Sequence, residues 1–231
     1  NVSVISTGDE LVDTSINILK DGQIYDSNRP MLISLLNANY LKTIDMGIVK
    51  DKRKDLALRY EDCLSKSDIV ISSGGASDGI EDHTQNALRD IGAKCVVWQL
   101  AMKPGKPMAV GIINKKIIFC LPGNPVAAFV CSKLLIKPLI DKVAGGIELD
   151  PFTIKLPSGF EHKKKSGRAE YLRAKIVNKD NSSIITLHGK KGAGVISSLT
   201  GADGLVEIPL ESENISKGDM LTFIPFDHRG L

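Results

Sequence analysis

Acidic side chains follow several strand-like runs of this sequence, at or just beyond the point where each run ends. Glu10 comes shortly after the apolar run 2–6, Asp51 follows the strand-like region 41–49, and Asp82 stands at the start of a helix-like segment. Ligands of open parallel sheets bind outside the carboxyl ends of the strands, so these carboxylates are expected to gather at one sheet edge. Simpler roles stay open, because Asp82 also suits the first turn of a helix and Asp51 also suits a turn.

Two glycine-containing loops also follow strand-like runs. They read Ser72-Ser73-Gly74-Gly75-Ala76-Ser77 and Leu121-Pro122-Gly123-Asn124-Pro125, and each leads into a helix-like segment. Exposed backbone N–H groups and the helix dipole favour an anion at such a position, so both loops are candidates for binding phosphate. The alternative is an ordinary tight turn, because glycine-rich turns after strands are common.

Two lysines, Lys103 and Lys106, flank the Pro104-Gly105 pair. The sequence predicts a stiff turn here between two sheet strands, and two cations held on such a turn would neutralise an oxyanion or a phosphate. The alternative is that both are solvated surface lysines. The four histidines show no metal-ligand spacing, and the absence of a Gly-x-Ser-x-Gly elbow argues against serine hydrolase chemistry.

The elements that must position these residues alternate between strand and helix over the first part of the chain. Asn28-Arg29-Pro30 is expected to open a helix, with Asn28 suited to cap it. β-branched and apolar runs predict strands at 2–6, 41–49, 69–71, 94–98, 108–113 and 116–121, and apolar residues at helical spacing predict further helices at 55–64, 82–91 and 126–140. This alternation predicts an α/β fold with a doubly wound, mostly parallel sheet over residues 1–146.

The pattern of apolar and polar residues changes after Gly145-Gly146. Short β-rich runs follow, separated by Gly, Asn and Asp, and no helical periodicity is visible. The runs lie at 152–156, 170–177, 184–188, 205–208 and 220–224. They predict a small all-β, barrel-like domain over residues 147–231.

Charge and composition exclude several classes of function. Residues 1–150 carry 18 basic and 18 acidic side chains, so their net formal charge is zero, which argues against a nucleic-acid partner. No run reaches the roughly 20 apolar residues of a membrane span. The four cysteines show no close CxxC pairing, as expected of reduced core cysteines in a cytoplasmic protein. The chain starts with Asn1 directly before an apolar run, which predicts a fragment of something longer.

Five motifs in order carry a resemblance to a known family. They are Ser6-Thr7-Gly8-Asp9-Glu10-Leu11, Asp21-Gly22-Gln23-Ile24-Tyr25-Asp26-Ser27-Asn28, Ser72-Ser73-Gly74-Gly75-Ala76-Ser77, Lys103-Pro104-Gly105-Lys106-Pro107 and Leu121-Pro122-Gly123-Asn124-Pro125. Together they resemble the molybdopterin molybdenumtransferases, bacterial enzymes related to the E domain of gephyrin. Gly167-Arg168-Ala169-Glu170-Tyr171 resembles the C-terminal β-domain of that family. The resemblance covers nearly the whole chain and implies that two N-terminal domains of the family are missing from it.

The resemblance implies a reaction and a set of site residues. The reaction is insertion of molybdate into adenylylated molybdopterin with release of AMP, dependent on Mg²⁺, in a homodimer that has a molybdopterin adenylyltransferase as a partner. The implied metal ligands are Glu10, Asp51 and Asp82, and Lys103 joins them as the lysine that helps to hold the anion. The implied substrate-binding residues are Gly74, Gly75, Ser77, Lys106, Pro122, Gly123, Asn124 and Pro125. Gln99 stands where some relatives carry a second lysine.

Two other functions stay open at this point. A molybdopterin adenylyltransferase would share the α/β domain, but such enzymes usually lack the attached β-domain predicted over residues 147–231. A gephyrin-like scaffold would use the same fold without catalysis, although nothing in the sequence marks a groove for a receptor peptide.

Overall fold

Two separate units are present in the computed structural model, which describes residues 1–16, 18–74, 83–147, 150–179, 182–189, 192 and 194–226. The first unit consists of residues 1–100 and 107–149, and the second consists of residues 101–106 and 150–231. The predicted boundary fell between residues 146 and 147 and left 101–106 in the first domain. The structure instead assigns 101–106 to the second unit, because Met102 and Lys103 pair as a strand with Ala169 and Glu170.

Strands and helices alternate along the first unit, as the sequence predicts. The strands of the chain up to residue 121 are β1 (Val2–Thr7), β2 (Leu11–Val12), β3 (Ile24–Tyr25), β4 (Thr43–Val49), β5 (Ile69–Ser73), β6 (Lys94–Gln99), β7 (Met102–Lys103, in the second unit), β8 (Pro107–Ile113) and β9 (Lys116–Leu121). The helices are α1 (Asn28–Leu35), α2 (Arg53–Lys66), α3 (His83–Asp90), α4 (Pro125–Cys131) and α5 (Lys137–Val143). A π-helical turn, Ser132–Ile136, joins α4 to α5.

Six of these strands form one mixed sheet in the order β4-β1-β5-β9-β8-β6. β4, β1, β5 and β9 are parallel, whereas β8 and β6 run antiparallel to their neighbours. The reversal follows from the two-residue turn at Asn114 and Lys115, which both have positive φ, a conformation typical of a tight hairpin. The mostly parallel sheet predicted from the sequence is confirmed, with an antiparallel edge added to it.

Helices cover both faces of the sheet because its strands are apolar on both sides. On one face, Val4 and Ile71 pack in a cluster that includes Leu32 of α1 and Ala128 of α4. On the other face, Ile5 of β1 and Val70 of β5 pack in a second cluster with side chains of α2 and α3: Leu56, Tyr60 and Leu88. Burial on both faces explains why the central strands read as continuous apolar runs, and it fixes the sheet that carries the candidate site.

Where the structure describes the second unit, its regular elements are strands and one short 3₁₀ turn at Ile196–Ser198. Its later strands are β10 (Ile154–Pro157), β11 (His162–Lys163), β12 (Ala169–Lys179), β13 (Ser182–Leu187), β14 (Gly204–Ile208), β15 (Asn214–Ile215) and β16 (Met220–Pro225). The main sheet has the order β10-β16-β14-β12-β13, and β7 pairs with β12. The amide of Gly159 donates to the carbonyl oxygen of Ile185 at 2.8 Å, which draws the chain after β10 toward β13 as in a barrel.

No helix among the described residues is long and apolar enough to cross a membrane.

Candidate active site

Four neighbouring parallel strands end at the same level of the first unit's sheet. Thr7 is paired with Val49, Ser6 with Ser73, and Ser73 with Leu121. The loops that follow β4, β1, β5 and β9 therefore leave the sheet side by side, as the rule for ligand sites in parallel sheets requires. These loops carry Glu10, Asp51, Gly74 and the segment 122–125.

Gly74 lies where two of these strand ends approach each other closely. Its φ is +100°, and a Cβ built on it would lie 2.1 Å from the carbonyl oxygen of Thr7. Its amide donates to the carbonyl oxygen of Leu121 at 3.2 Å. A Cβ built on Gly123 would lie 3.7 Å from the Cα of Gly74, so the two glycine loops lie close to each other. Only glycine has both the required backbone conformation and the required lack of a side chain at residue 74.

The loop after β9 presents its backbone to solvent. Pro122 is buried, whereas Gly123 and Asn124 are exposed. Asn124 is the N-cap of α4 in an extended conformation, and Pro125 is the first helical residue, where its missing N–H costs nothing. The described structure therefore has the predicted loop-into-helix arrangement at 122–125.

Three carboxylates lie near one another at the ends of β1 and β4. The amide of Asp51 donates to Asp9 Oδ1 at 3.3 Å, and the Glu10 carboxylate folds back over Gly8. Burial is the main cause that raises the pKa of Asp51. The charges of Asp9 and Glu10 raise that pKa further, whereas His83 lowers it. Such crowding of negative charge is typical of a site that receives a cation.

Part of the predicted acidic and glycine set lies outside the described residues, namely Asp82, Gly75 and Ser77. Within the described ranges, no group of three or more His, Cys, Asp or Glu side chains is arranged to hold a metal ion. Asp51 Oδ1 is buried without a partner at hydrogen-bond distance among the described residues, although the nearby Thr7 hydroxyl interacts with this carboxylate and lowers its pKa. A buried carboxylate with so little hydrogen bonding fits a metal ligand.

An ion-pair network that sequence analysis missed holds the start of α1. Arg29 Nε donates to Asp26 Oδ2 at 2.9 Å, and its two terminal nitrogens donate to Asp13, at 2.7 Å, and to Asp45. Burial by itself lowers the pKa of Arg29, but these three carboxylates raise it above its ordinary value. Ser6 Oγ also donates to Asp26, at 2.9 Å. The network thus ties the β2–β3 segment and α1 to β1 and β4.

Lys103 belongs to the second unit and is not an isolated surface cation. Its Nζ lies 3.0 Å from Glu170 Oε1, and His162 Nε2 lies 2.9 Å from Glu170 Oε2. Burial raises the pKa of Glu170, but the hydrogen bonds from His162 and Lys103 outweigh burial and hold that pKa below its usual range. The predicted turn between two sheet strands is therefore wrong in one respect, because Lys103 lies in a strand of the second unit. Lys106 is exposed.

A pocket of about 330 Å³ lies beside Lys103 within the second unit. Its basic lining residues come from β7, β11, β12 and the segment after β13: Lys103, His162, Lys163, Arg173 and His188. Glu170 is the acidic residue of the lining. Basic groups outnumber the carboxylate, so the pocket is suited to a small anion.

Comparison with known proteins identifies the family. The family described as a probable molybdopterin binding domain matches residues 3–142. The family described as the MoeA C-terminal region, domain IV, matches residues 155–226. The molybdopterin molybdenumtransferase of Haemophilus influenzae is 34% identical over 229 residues, which are 98% of this chain and 56% of that protein. The chain belongs to the molybdopterin molybdenumtransferase family.

Other members of the molybdopterin molybdenumtransferase family agree with this assignment. The Staphylococcus aureus enzyme (strain COL) is 30% identical over 227 residues, 97% of this chain and 53% of its own length. The crystal structure of a molybdopterin biosynthesis MoeA protein from Pyrococcus horikosii superposes with a TM-score of 0.80 at 31% identity, covering 98% of this chain and 54% of that one. The resemblance inferred from the five motifs is confirmed. The chain spans about half the length of the curated relatives it matches.

Proposed function

We propose that this protein acts in molybdenum cofactor biosynthesis by inserting molybdate into adenylylated molybdopterin and releasing AMP. The observation that carries the proposal is the close approach of Gly74 and Gly123 beyond the ends of β5 and β9. It brings two side-chain-free backbone segments together in a domain that matches a molybdopterin-binding family. A substrate phosphate is the ligand that such paired backbone loops suit best.

The carboxylates Glu10, Asp51 and Asp82 are proposed to hold Mg²⁺ near that phosphate. The raised pKa of Asp51 and the sparse hydrogen bonding of its buried Oδ1 support this assignment for the described part of the set. When bound, the cation would neutralise negative charge on the phosphate that leaves with AMP. The protein's own part is to hold Glu10 and Asp51 close together and to present the loops that begin at Gly74 and Pro122 to the substrate.

Lys103 and Lys106 are proposed to bind the oxyanion. Lys103 supports this role because it lines a basic pocket and its amino group is held by Glu170. A tetrahedral dianion such as molybdate is compact enough for a cavity of about 330 Å³. The carboxylates belong to the first unit and the two lysines to the second. We therefore assign Mg²⁺ to the carboxylates and the oxyanion to the lysines from the surroundings of each group separately.

The second unit favours this reaction over the adenylyltransferase alternative. The match of residues 155–226 to the MoeA C-terminal region supports a molybdenumtransferase. Because the proposed substrate is already adenylylated, a molybdopterin adenylyltransferase must supply it, and we infer that such an enzyme is the partner in the cytoplasm. We also infer a homodimer, which sedimentation at several protein concentrations would test.

The test is AMP release from adenylylated molybdopterin, measured with and without molybdate in the presence of Mg²⁺. Turnover is expected only with molybdate. Lys103→Met should raise the molybdate concentration for half-maximal rate about tenfold, since a charge-assisted contact to the anion is lost. Lys155→Met is the matched control, because Lys155 is exposed in the same unit and bonds Thr222 instead. AMP release that does not depend on molybdate would contradict the proposal.

A further inference from the structure

We propose that Asn28 is a positioning residue that holds the Gly74 and Gly123 loops at one fixed separation, so that both bind the same AMP phosphate. This inference rests on the proposed function, in which the two loops form the phosphate site. Asn28 was expected to cap α1, and the structure assigns its side chain a different task.

The side chain of Asn28 does not cap the helix. Ser27 occupies the N-cap position, without a side-chain cap bond, and Asn28 is the first residue of α1. The Asn28 amide nitrogen, Nδ2, donates to Ser73 Oγ at 2.7 Å and to the carbonyl oxygen of Gly123 at 2.8 Å. Asn28 is only 8% exposed. Both hydrogens of one amide group are therefore used to join two loops that are distant in sequence.

The two bonds act on the residues that set the loop spacing. Ser73 is the last residue of β5 and immediately precedes Gly74, while Gly123 follows the end of β9. The amide of Gly74 donates to Leu121, so a backbone bond and the Asn28 bridge hold the same pair of strand ends. A planar amide with two fixed N–H directions leaves little freedom in the distance between its acceptors.

Hydrogen bonds and ion pairs of the neighbouring residues hold Asn28 in place. The backbone N–H of the next residue, Arg29, donates to Asp26 Oδ1 at 3.2 Å, and the Arg29 side chain pairs with Asp26, Asp13 and Asp45. Asp26 is almost fully buried. This network anchors the first turn of α1, so the Asn28 amide is presented from a rigid base.

Asn28 Oδ1 is buried near these strand ends and has no hydrogen-bond partner among the described residues. Thr7 Oγ1 and Asp51 Oδ1 are also buried without a partner at hydrogen-bond distance, although the Thr7 hydroxyl acts on the Asp51 carboxylate. Buried polar groups normally have hydrogen-bond partners, and an unmet one is costly. Their grouping at one sheet edge indicates a place where hydrogen bonding is completed from outside the described residues. Asn28 thus bridges the two loops through Nδ2, while its Oδ1 has no hydrogen-bond partner among the described residues.

The experiment uses AMP as the probe and follows both calorimetric affinity and the backbone amide resonances of Gly74 and Gly123. Asn28→Asp keeps the shape but replaces the donor nitrogen, so the bond to Gly123 is lost, whereas the Ser73 hydroxyl can still donate to the new carboxylate. Ser73→Ala removes the other bond alone. Asn37→Asp is the matched control, because Asn37 is exposed just beyond the end of α1.

In the wild type, AMP should shift both glycine resonances with one binding curve. In Asn28→Asp the Kd for AMP should rise at least about tenfold with loss of the Gly123 response, and Ser73→Ala should weaken binding with loss of the Gly74 response. Asn37→Asp should match the wild type. A folded Asn28→Asp variant with wild-type affinity would overturn the inference. If Asn28→Asp does not fold, wild-type affinity in Ser73→Ala would overturn it.

Failure of the proposed function gives a different result. In that case the wild type itself binds no AMP, and the spectra of the free proteins decide the role of Asn28. Unchanged Gly74 and Gly123 resonances in folded Asn28→Asp or Ser73→Ala would then show that Asn28 does not hold the loops. Displaced resonances at both glycines would support the positioning role without the phosphate site.

Discussion

The carbonyl oxygen of Thr7 occupies the space in which a side chain at residue 74 would begin. A Cβ on Gly74 would lie 2.1 Å from that oxygen, far inside van der Waals contact. Thr7 ends β1 and Gly74 follows β5, so this contact sets how closely the two loops of the candidate site leave the sheet. The glycine is therefore required by the packing of the strand ends as well as by its positive φ.

Gly74→Ala is expected to destabilise the protein by about 3 kcal/mol, because backbone strain at positive φ adds to a clash with main-chain atoms. Urea unfolding followed by circular dichroism measures the change. Gly47→Ala is the matched control, because Gly47 also has positive φ, at +73°, but has open space around its Cα. Gly47→Ala should lower the free energy of unfolding by only about 1 kcal/mol. If both variants lose the same unfolding free energy, the backbone near Thr7 can move away from a side chain at residue 74.

Glu10→Gln, Asp51→Asn and Asp82→Asn are each expected to reduce molybdate-dependent AMP release at least about a hundredfold, since each removes a charge from the proposed Mg²⁺ site. Asp62→Asn should leave the rate unchanged, because Asp62 forms an exposed ion pair with Lys66 on α2. Wild-type turnover in all three site variants would remove the metal-site assignment.

The stability of Asp51→Asn is expected to change in the opposite direction to its activity. Burial raises the pKa of Asp51 in the folded state, so ionisation of this carboxyl opposes folding above its usual pKa. The variant should therefore unfold at a higher temperature than the wild type at pH 7. This gain should vanish in acid, where the wild-type carboxyl is neutral. A thermal unfolding series from pH 3 to pH 8 tests the sign.

Arg29→Met is expected to lower the free energy of unfolding by about 4 kcal/mol, because the buried Asp26 carboxylate would lose the cation that pairs with it. The same substitution at Arg53 is the control. Arg53 pairs with Asp90 on the protein surface, where an ion pair contributes less than about 1 kcal/mol. Denaturant unfolding of both variants gives the comparison. A loss at Arg29 as small as that at Arg53 would mean that Asp26 is accommodated without its partner.

Glu170→Gln is expected to lower the free energy of unfolding by about 2 kcal/mol at pH 7, because the charge-assisted hydrogen bonds from Lys103 and His162 are weakened. The folded-state pKa of Glu170 is lowered, so its contribution is complete above the ordinary glutamate pKa and is lost as the pH falls through the folded value. The difference between variant and wild type should shrink below about pH 4. Glu161→Gln, at an exposed site, should change little at any pH.

Local sequence signals were sufficient for most elements of the fold. The apolar runs at 69–71 and 116–121 became β5 and β9, because strands buried on both faces leave a continuous hydrophobic pattern. Asn28-Arg29-Pro30 opened α1 as predicted. The predicted helix over 126–140 is instead interrupted by the π-helical turn before Pro138, since proline lacks the N–H that continues an α-helix.

Local patterns were enough to predict which residues follow the strands, and therefore that Glu10, Asp51, Gly74 and Gly123 share a sheet edge. The side-chain contacts between distant residues could not be predicted in this way. The pairing of Lys103 with Glu170 joins residues 67 positions apart, and the bond from Asn28 to Gly123 joins residues 95 positions apart. Periodicity and turn chemistry report on neighbours along the chain, whereas such contacts depend on strand register and on burial, which are fixed when the sheets assemble.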